Sequence, residues 1–378
     1  WARDFLAPRG GQQISWVAVQ VGASDPMKAW RPELFGQTLA ALSRQTPVGY
    51  VFIGTESERK AIETAQMAYR QAGGRGPLCD AVGRTTLPQL AAVLAQCRLL
   101  LTNDTGPMHL AVGVGTPVID LSVGHVDFRE TGPYGPGHWI VQPDMGCAPC
   151  GFDQVCLHHA CKDRLVPDQI AALCLHVLNG GAFPEKLTGI KIYRSRVDED
   201  GLGSTELHAG REDPTVSWYG RFWRRFWFEQ FTGRPSLLPM VSEPPPDWKE
   251  SMALLDRLMP LAARLVSRAE ELVRLTARRP LPISTLQQMQ LEESGERQTV
   301  VALSLQSPAT ASLAVALVRD THNDDGHELT GMAECRLATY RRWRKRLHTV
   351  AAGFRSFNTA QGFAPRGTTV AIPMARIG

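Results

Sequence analysis

Between about residues 14 and 178 the chain repeats one unit. A short apolar or β-branched run is followed by a turn and then by a longer segment with apolar residues at helical spacing. The runs at 14–21, 48–53, 78–82, 98–102 and 117–122 read as strands. The segments at 32–44, 56–73, 87–96, 107–114 and 167–178 read as helices. In 32–44, for instance, Leu34, Phe35, Leu39 and Leu42 share one helical face. Glycines close several units, among them Gly54, Gly73-Gly74 and Gly180-Gly181. Strands alternating with helices at this spacing require βαβ crossovers. They therefore predict a doubly wound, Rossmann-like parallel sheet with helices on both faces.

From about residue 185 the texture changes. Residues 198–212 are polar and Gly-rich and read as a linker or loop, and Ser242-Glu243-Pro244-Pro245-Pro246 is a breaker. Residues 248–278 are strongly helical, with a kink expected at Pro260; 298–319 and 331–354 also read as helices. The expected organisation is an α/β domain over 1–184, a linker with an aromatic-basic helix over 185–247, and a mainly α-helical extension over 248–378. A formal charge of +4 in 378 residues does not indicate nucleic-acid binding. No window of about 18 uncharged apolar residues occurs, so no spanning helix is expected, and no secretory signal follows Trp1.

The turn Asn103-Asp104-Thr105-Gly106-Pro107 follows an apolar strand and opens a short helix. In an open parallel sheet, ligands sit beyond the carboxyl ends of the strands. Asp104 or Thr105 can cap the helix, Pro107 suits its first turn, and Gly106 permits close approach to the backbone. A helix N-terminus with free N–H groups suits a diphosphate, and His109 on the first turn can donate to it. On chemistry alone, a capped helix with a core histidine is the preferred reading. The glycine fingerprint of a nicotinamide site is absent.

Thr102 to Ala111 with Gly115-Thr116-Pro117-Val118 resembles the signature of glycosyltransferase family 9, the ADP-heptose:lipopolysaccharide heptosyltransferases. Lys28-Ala29-Trp30-Arg31-Pro32, Thr85-Thr86-Leu87 with Leu90-Ala91, Thr131-Gly132-Pro133-Tyr134-Gly135 and Cys147-Ala148-Pro149-Cys150 resemble further family segments in the family's order. The resemblance implies the C-terminal, donor-binding half of a GT-B enzyme. It implies inverting transfer, without a catalytic metal or required cofactor, of a sugar from ADP-heptose or a similar donor to a lipid-linked lipopolysaccharide-core or envelope glycan in a bacterial cytoplasm. Lys28 then stabilises the leaving diphosphate, and Ser24 donates to a phosphate. Asp104, Thr105, Gly106 and His109 hold diphosphate and sugar. Glu58, or alternatively Glu56, takes the ribose hydroxyls. The strand-end Pro-Gly of the family stands here as Val21-Gly22. The acceptor half with its general base has no counterpart, and the first residue is Trp1. The expectation is therefore a fragment, or an acceptor half on another polypeptide. The alternative is a non-catalytic nucleotide-sugar-binding or scaffold subunit.

Cys147, Cys150, Cys156 and Cys161 have spacing compatible with structural zinc or an iron–sulfur cluster. Free or redox-sensitive thiols, or disulfides, are the other readings. Tyr219, Phe222, Trp223, Phe226, Trp227 and Phe231 recur at helical spacing among Arg221, Arg224 and Arg225. This stripe packs on the helical extension, or lies in a bilayer interface and gives peripheral contact with the inner face of the inner membrane. The run Arg341 to Arg346 reads as a solvated helix face.

Overall fold

The computed structural model describes residues 1–7, 14–151, 154–239, 241–322 and 328–360. They fall into two units, Trp1–Glu212 and Asp213–Gly378.

The first unit is built on one sheet. Its strands are β1 (Ser15–Gln20), β2 (Val48–Ile53), β3 (Leu78–Asp80), β4 (Cys97–Asn103), β5 (Val118–Leu121), β6 (Trp139–Pro143), β7 (Ile190–Val197) and β8 (Gly203–Ala209), in the order β3-β2-β1-β4-β5-β6-β7-β8. The pairs from β3 to β6 are parallel; β6–β7 and β7–β8 are antiparallel. Every residue of β2 and β5 is buried, as parallel strands covered on both faces must be. On one face, Val17, Val19, Leu101 and Leu121 pack with the helices Pro32–Ser43, Arg59–Gln71 and Pro167–Asn179. On the other, Ala18, Val51, Leu100 and Val118 pack with Ala2–Leu6, Leu87–Leu94 and Gly106–Gly113. The doubly wound α/β reading holds, with a mixed rather than purely parallel sheet.

The expected boundary at 184 is too early. Residues 190–197 and 203–209, read as the start of a linker, are the hairpin β7–β8, and the unit runs to Glu212. Its turn is tight: Asp198 N–H donates to Leu202 C=O at 3.0 Å, and Gly201 takes φ +78°. The hairpin was hidden because β8 is an edge strand with one face in water, so it carries no apolar run. β6 was missed too, being short and closed by Pro143.

The second unit is helical: Pro214–Thr232, Trp248–Thr276, Ile283–Ser304, Pro308–His322 and Leu329–Ala360. The helix from Trp248 runs on through Pro260. The single helix expected over 298–319 is two, because Ser307-Pro308 starts a new one; Ser307 Oγ accepts from Ala309 N–H at 3.1 Å. The aromatic stripe is core. Trp218, Tyr219, Trp223 and Phe226 are buried with Leu255, Leu258, Trp343 and Phe354. Indole N–H groups find partners at Pro308 C=O (Trp223, 2.7 Å) and Leu313 C=O (Trp343, 2.9 Å). This is the expected packing on the helical extension, with Phe222 and Trp227 half-buried and Phe231 left exposed. Arg341 to Arg346 is not a plain solvated face. Trp343 is fully buried, Arg346 pairs with Asp320 at 3.1 Å and stacks over Trp227 at 5.0 Å, and Arg341 pairs with Glu270. Among the described residues no helix is long and apolar enough to cross a membrane.

Trp343→Ala removes a fully buried ring of this core together with its hydrogen bond to the Leu313 carbonyl. It is expected to cost about 3–5 kcal/mol, read as a lowered urea midpoint by far-ultraviolet circular dichroism.

Candidate functional site

Chain order and strand order part company between β1 and β4. From β1 the chain moves outward through β2 and β3, and then returns to the other side of β1 as β4. The loops after β1 and β4 therefore diverge to opposite faces, and the crevice between them is where such folds bind ligands. Lys28 and Ser24 lie on the first loop, and Asp104 to His109 on the second.

Asn103, the last residue of β4, joins the two loops. Its Oδ1 accepts from Trp30 N–H at 2.9 Å, and its Nδ2 donates to Val21 C=O at 2.8 Å and Gly22 C=O at 3.2 Å. The side chain is fully buried, so these are strong restraints. The Lys28 turn itself is the 3₁₀ segment Pro26–Lys28, capped by Asp25, whose carboxylate accepts from Met27 N–H at 2.8 Å. The helix Ala160–Arg164 holds the turn from outside. Lys162 Nζ donates to Pro26 C=O at 2.6 Å, Trp30 Nε1 donates to Lys162 C=O at 2.8 Å, and Arg31 grips Asp163 with both nitrogens. Gly124 (φ +67°) packs so closely on the Met27 carbonyl that a Cβ would not fit. Lys28 is half-buried; its backbone N–H donates to Asp25 C=O at 3.1 Å, while its ammonium has no hydrogen bond or ion pair among the described residues.

Opposite, Asp104 is buried and its Oδ2 accepts from Thr131 Oγ at 2.7 Å. Thr105 stands at the helix N-cap, but its hydroxyl pairs with Thr102 Oγ at 3.2 Å, and no side chain caps Gly106–Gly113. The expected cap by Asp104 or Thr105 is thus absent, and the N-terminus is left open for an anion. A Cβ on Gly106 would meet nothing within 4 Å. His109 is exposed, which excludes the core-histidine reading, while Met108 is core.

The two candidate ribose acids separate cleanly. Glu56 is locked in an ion pair with Arg59, which also binds Asp80 at 3.1 Å; this pairing lowers the Glu56 pKa. Glu58 instead turns to the end of β1. Its Oε1 accepts from Gln20 Nε2 at 2.7 Å, and its Oε2 accepts from Thr55 N–H at 2.7 Å as half of a capping box. It packs against the bare Cα of Gly22. Thr55 Oγ also donates to Oε2 at 2.9 Å, so Oε1, with its single bond, keeps the freer lone pair for a hydroxyl. Ser24 is exposed on the same loop.

Asp120 on β5 is a group that the sequence did not single out. It is fully buried, its Oδ2 accepts from Ser122 Oγ at 2.6 Å, and its Oδ1 has no partner. Burial first, and Asp104 next to it, raise its pKa from 3.8 to about 7, against the pull of Ser122 and Lys28. Asp120 stands alone among the apolar residues of β5, and what it does depends on neighbours in the sheet that the sequence does not show.

The cysteine cluster does not form a ligand set. Cys147 is exposed, Cys150 and Cys156 are half-buried, and Cys161 is buried in the sheet's core; all four are free thiols. Among the described residues no three His, Cys, Asp or Glu side chains converge to hold a metal. The four thiols still lie near one another: burial first, then Cys161, Cys147 and Cys156, push the Cys150 thiol up, and no chemistry is routed through a metal.

The sequence profile of glycosyltransferase family 9 (heptosyltransferase) matches residues 8–160. The match covers less than half of the chain, and the relatives below are what this stretch is similar to. The chain is 27% identical over 169 residues to lipooligosaccharide heptosyltransferase 2 of Campylobacter jejuni, covering 44% of this chain and 51% of that protein. A lipopolysaccharide core heptosyltransferase of Haemophilus influenzae is 46% identical over 52 residues, 14% of this chain and 15% of its own. The solved ADP-heptose lps heptosyltransferase II of E. coli aligns with a TM-score of 0.39 at 18% identity, covering 47% of this chain and 50% of that one. The chain spans about half the length of the first of these relatives.

Because Asp120 titrates high in the fold and at 3.8 in an unfolded chain, its ionisation costs stability. That cost is nil below about pH 4, grows with pH and is complete above about pH 7. Asp120→Asn is therefore expected to raise the melting temperature at about pH 8 and to leave it unchanged at about pH 3.5, measured by calorimetry across the range.

Proposed function

We propose that the crevice between β1 and β4 binds the diphosphate of a nucleotide-sugar, ADP-heptose or a close analogue. In the whole enzyme the heptose would pass with inversion to a lipopolysaccharide-core acceptor. The observation that carries the reading is the pairing, across one switch point, of an uncapped helix N-terminus with a lysine whose ammonium has no partner among the described residues. The family 9 match supports it.

The chemistry asks little of the donor half beyond electrostatics. As the sugar–phosphate bond breaks, negative charge grows on the diphosphate. Lys28 and the N–H groups of the first helical turn stabilise it where it develops. Asp104, held by Thr131, is placed to accept from a sugar hydroxyl, and His109 to donate. Glu58 accepts from the ribose hydroxyls. The base that deprotonates the acceptor belongs, by the family's pattern, to the acceptor half, and no residue of this chain is assigned that role. By its likeness to the family, the enzyme would work in the cytoplasm and meet its lipid-linked acceptor at the membrane face.

Titration calorimetry with ADP-heptose tests the reading. Lys28→Ala and Asp104→Ala are each expected to weaken binding about ten- to a hundredfold, the worth of one charge-assisted contact. Gly106→Ala should leave the melting temperature unchanged, since the space beside it is open, yet obstruct the ligand. Full affinity in all three variants would overturn the assignment.

A further inference from the structure

The buried carboxyl of Asp120 has no task in the mechanism above. It lies on the carboxyl-terminal edge of the sheet, directly in line with the donor crevice. In the parallel register Gln20 on β1 stands opposite Thr102 on β4, and Thr102 stands opposite Asp120 on β5. Residues in register project to the same face, so these three form one polar row beneath the helix Gly106–Gly113. Thr102 is two residues before Asp104 and shares a hydrogen bond with Thr105. The row thus runs under the turn that would hold the diphosphate. Asp120 spends one oxygen on Ser122; the other is enclosed and has no partner. An ionised carboxylate in that position would be expensive, and a protonated one is tolerable.

Its surroundings contain few charges that could set its state. From β4 and the following turn comes Asp104, and from the Pro26–Lys28 turn comes Lys28; these are the two charges that act on it. From β6, Ile140 stands opposite, with Gln142 and His138 two residues to either side on the same face. Gln142 is neutral, and burial lowers the His138 pKa and keeps that ring neutral. Asp120 itself titrates near pH 7.

We propose that Asp120 is a positioning residue of the donor site that takes up a proton when a nucleotide diphosphate enters, so that donor affinity falls as the pH rises. This rests on the donor-site reading given above. The physical chain is short. A bound diphosphate brings negative charge beside Asp120 and occupies Lys28, the one cation that favours its ionised form. Both effects favour the protonated carboxyl. Binding and protonation are then linked: affinity is full below the pKa of the free protein and declines above it.

The test is calorimetry of the 378-residue chain with ADP-heptose, whose diphosphate carries no group titrating near neutrality. Between about pH 7 and the higher pKa of the complex, affinity should fall by up to about tenfold per pH unit. Titrations in two buffers of different ionisation enthalpy should show net proton uptake. Asp120→Asn should abolish both the slope and the uptake and bind more tightly than the wild type at about pH 8. His109→Gln should keep them, which separates Asp120 from the exposed histidine of the same site. A slope that persists in Asp120→Asn, or wild-type binding without proton uptake, overturns the proposal while the donor site stands. Absence of ADP-heptose binding at every pH overturns both. If the asparagine variant does not fold, the buffer experiment on the wild-type chain decides alone.

Discussion

The geometry of the crevice depends on one buried amide. Asn103 ends β4, and from there it bonds three backbone groups of the loop that leaves β1. A switch point in an open sheet creates a gap only because neighbouring connections turn away from each other. Nothing in that topology fixes how far apart the two loops stand. The side chain of Asn103 does so, using both donor and acceptor ends in a dry environment where an unmet polar group is costly. The Lys28 turn is then braced from the far side by Lys162, Asp163 and the close fit of Gly124. A lysine held this way gives little entropy away when an anion arrives.

The polar groups of the first unit gather at one edge of the sheet. In their middles the strands are apolar on both faces, as Val17 to Val19 and Leu99 to Leu101 show. At their carboxyl ends they turn polar in step: Gln20, Thr102 with Asn103, Asp120 with Ser122, and Gln142 are all buried. Such groups would be ruinous in the middle of the sheet. At its edge they lie beside open backbone N–H groups and a cation, where each can be answered by a neighbour or by a ligand.

Much of this was legible in the residues alone. The β-α alternation yields the strands from Ser15 to Leu121 because parallel strands must be apolar and their helices must show a stripe. The Asp104–His109 turn stood out because Gly and Pro punctuate it. The edge hairpin β7–β8 was not legible, since a strand wet on one face looks like a polar loop. The choice between Glu56 and Glu58 was not legible either, because it turns on Arg59 and Asp80, which local spacing does not reveal. Asp120 and the bridging role of Asn103 depend on contacts between strands far apart in sequence. The cysteine spacing likewise did not show that Cys161 lies in the core while Cys147 is exposed.

The antiparallel hairpin after the parallel strands has a consequence for what counts as the domain. Five residues of β6, Trp139 to Pro143, pair with β7, and β8 then lies outside both. A polypeptide ended at residue 184 would bare that row of N–H and C=O groups as a raw, adhesive margin. The hairpin, with its salt-bridged and half-wet residues, acts as a selvedge, the woven border that keeps a fabric from unravelling. It lets the rest of the sheet stay as apolar as a parallel sheet needs to be.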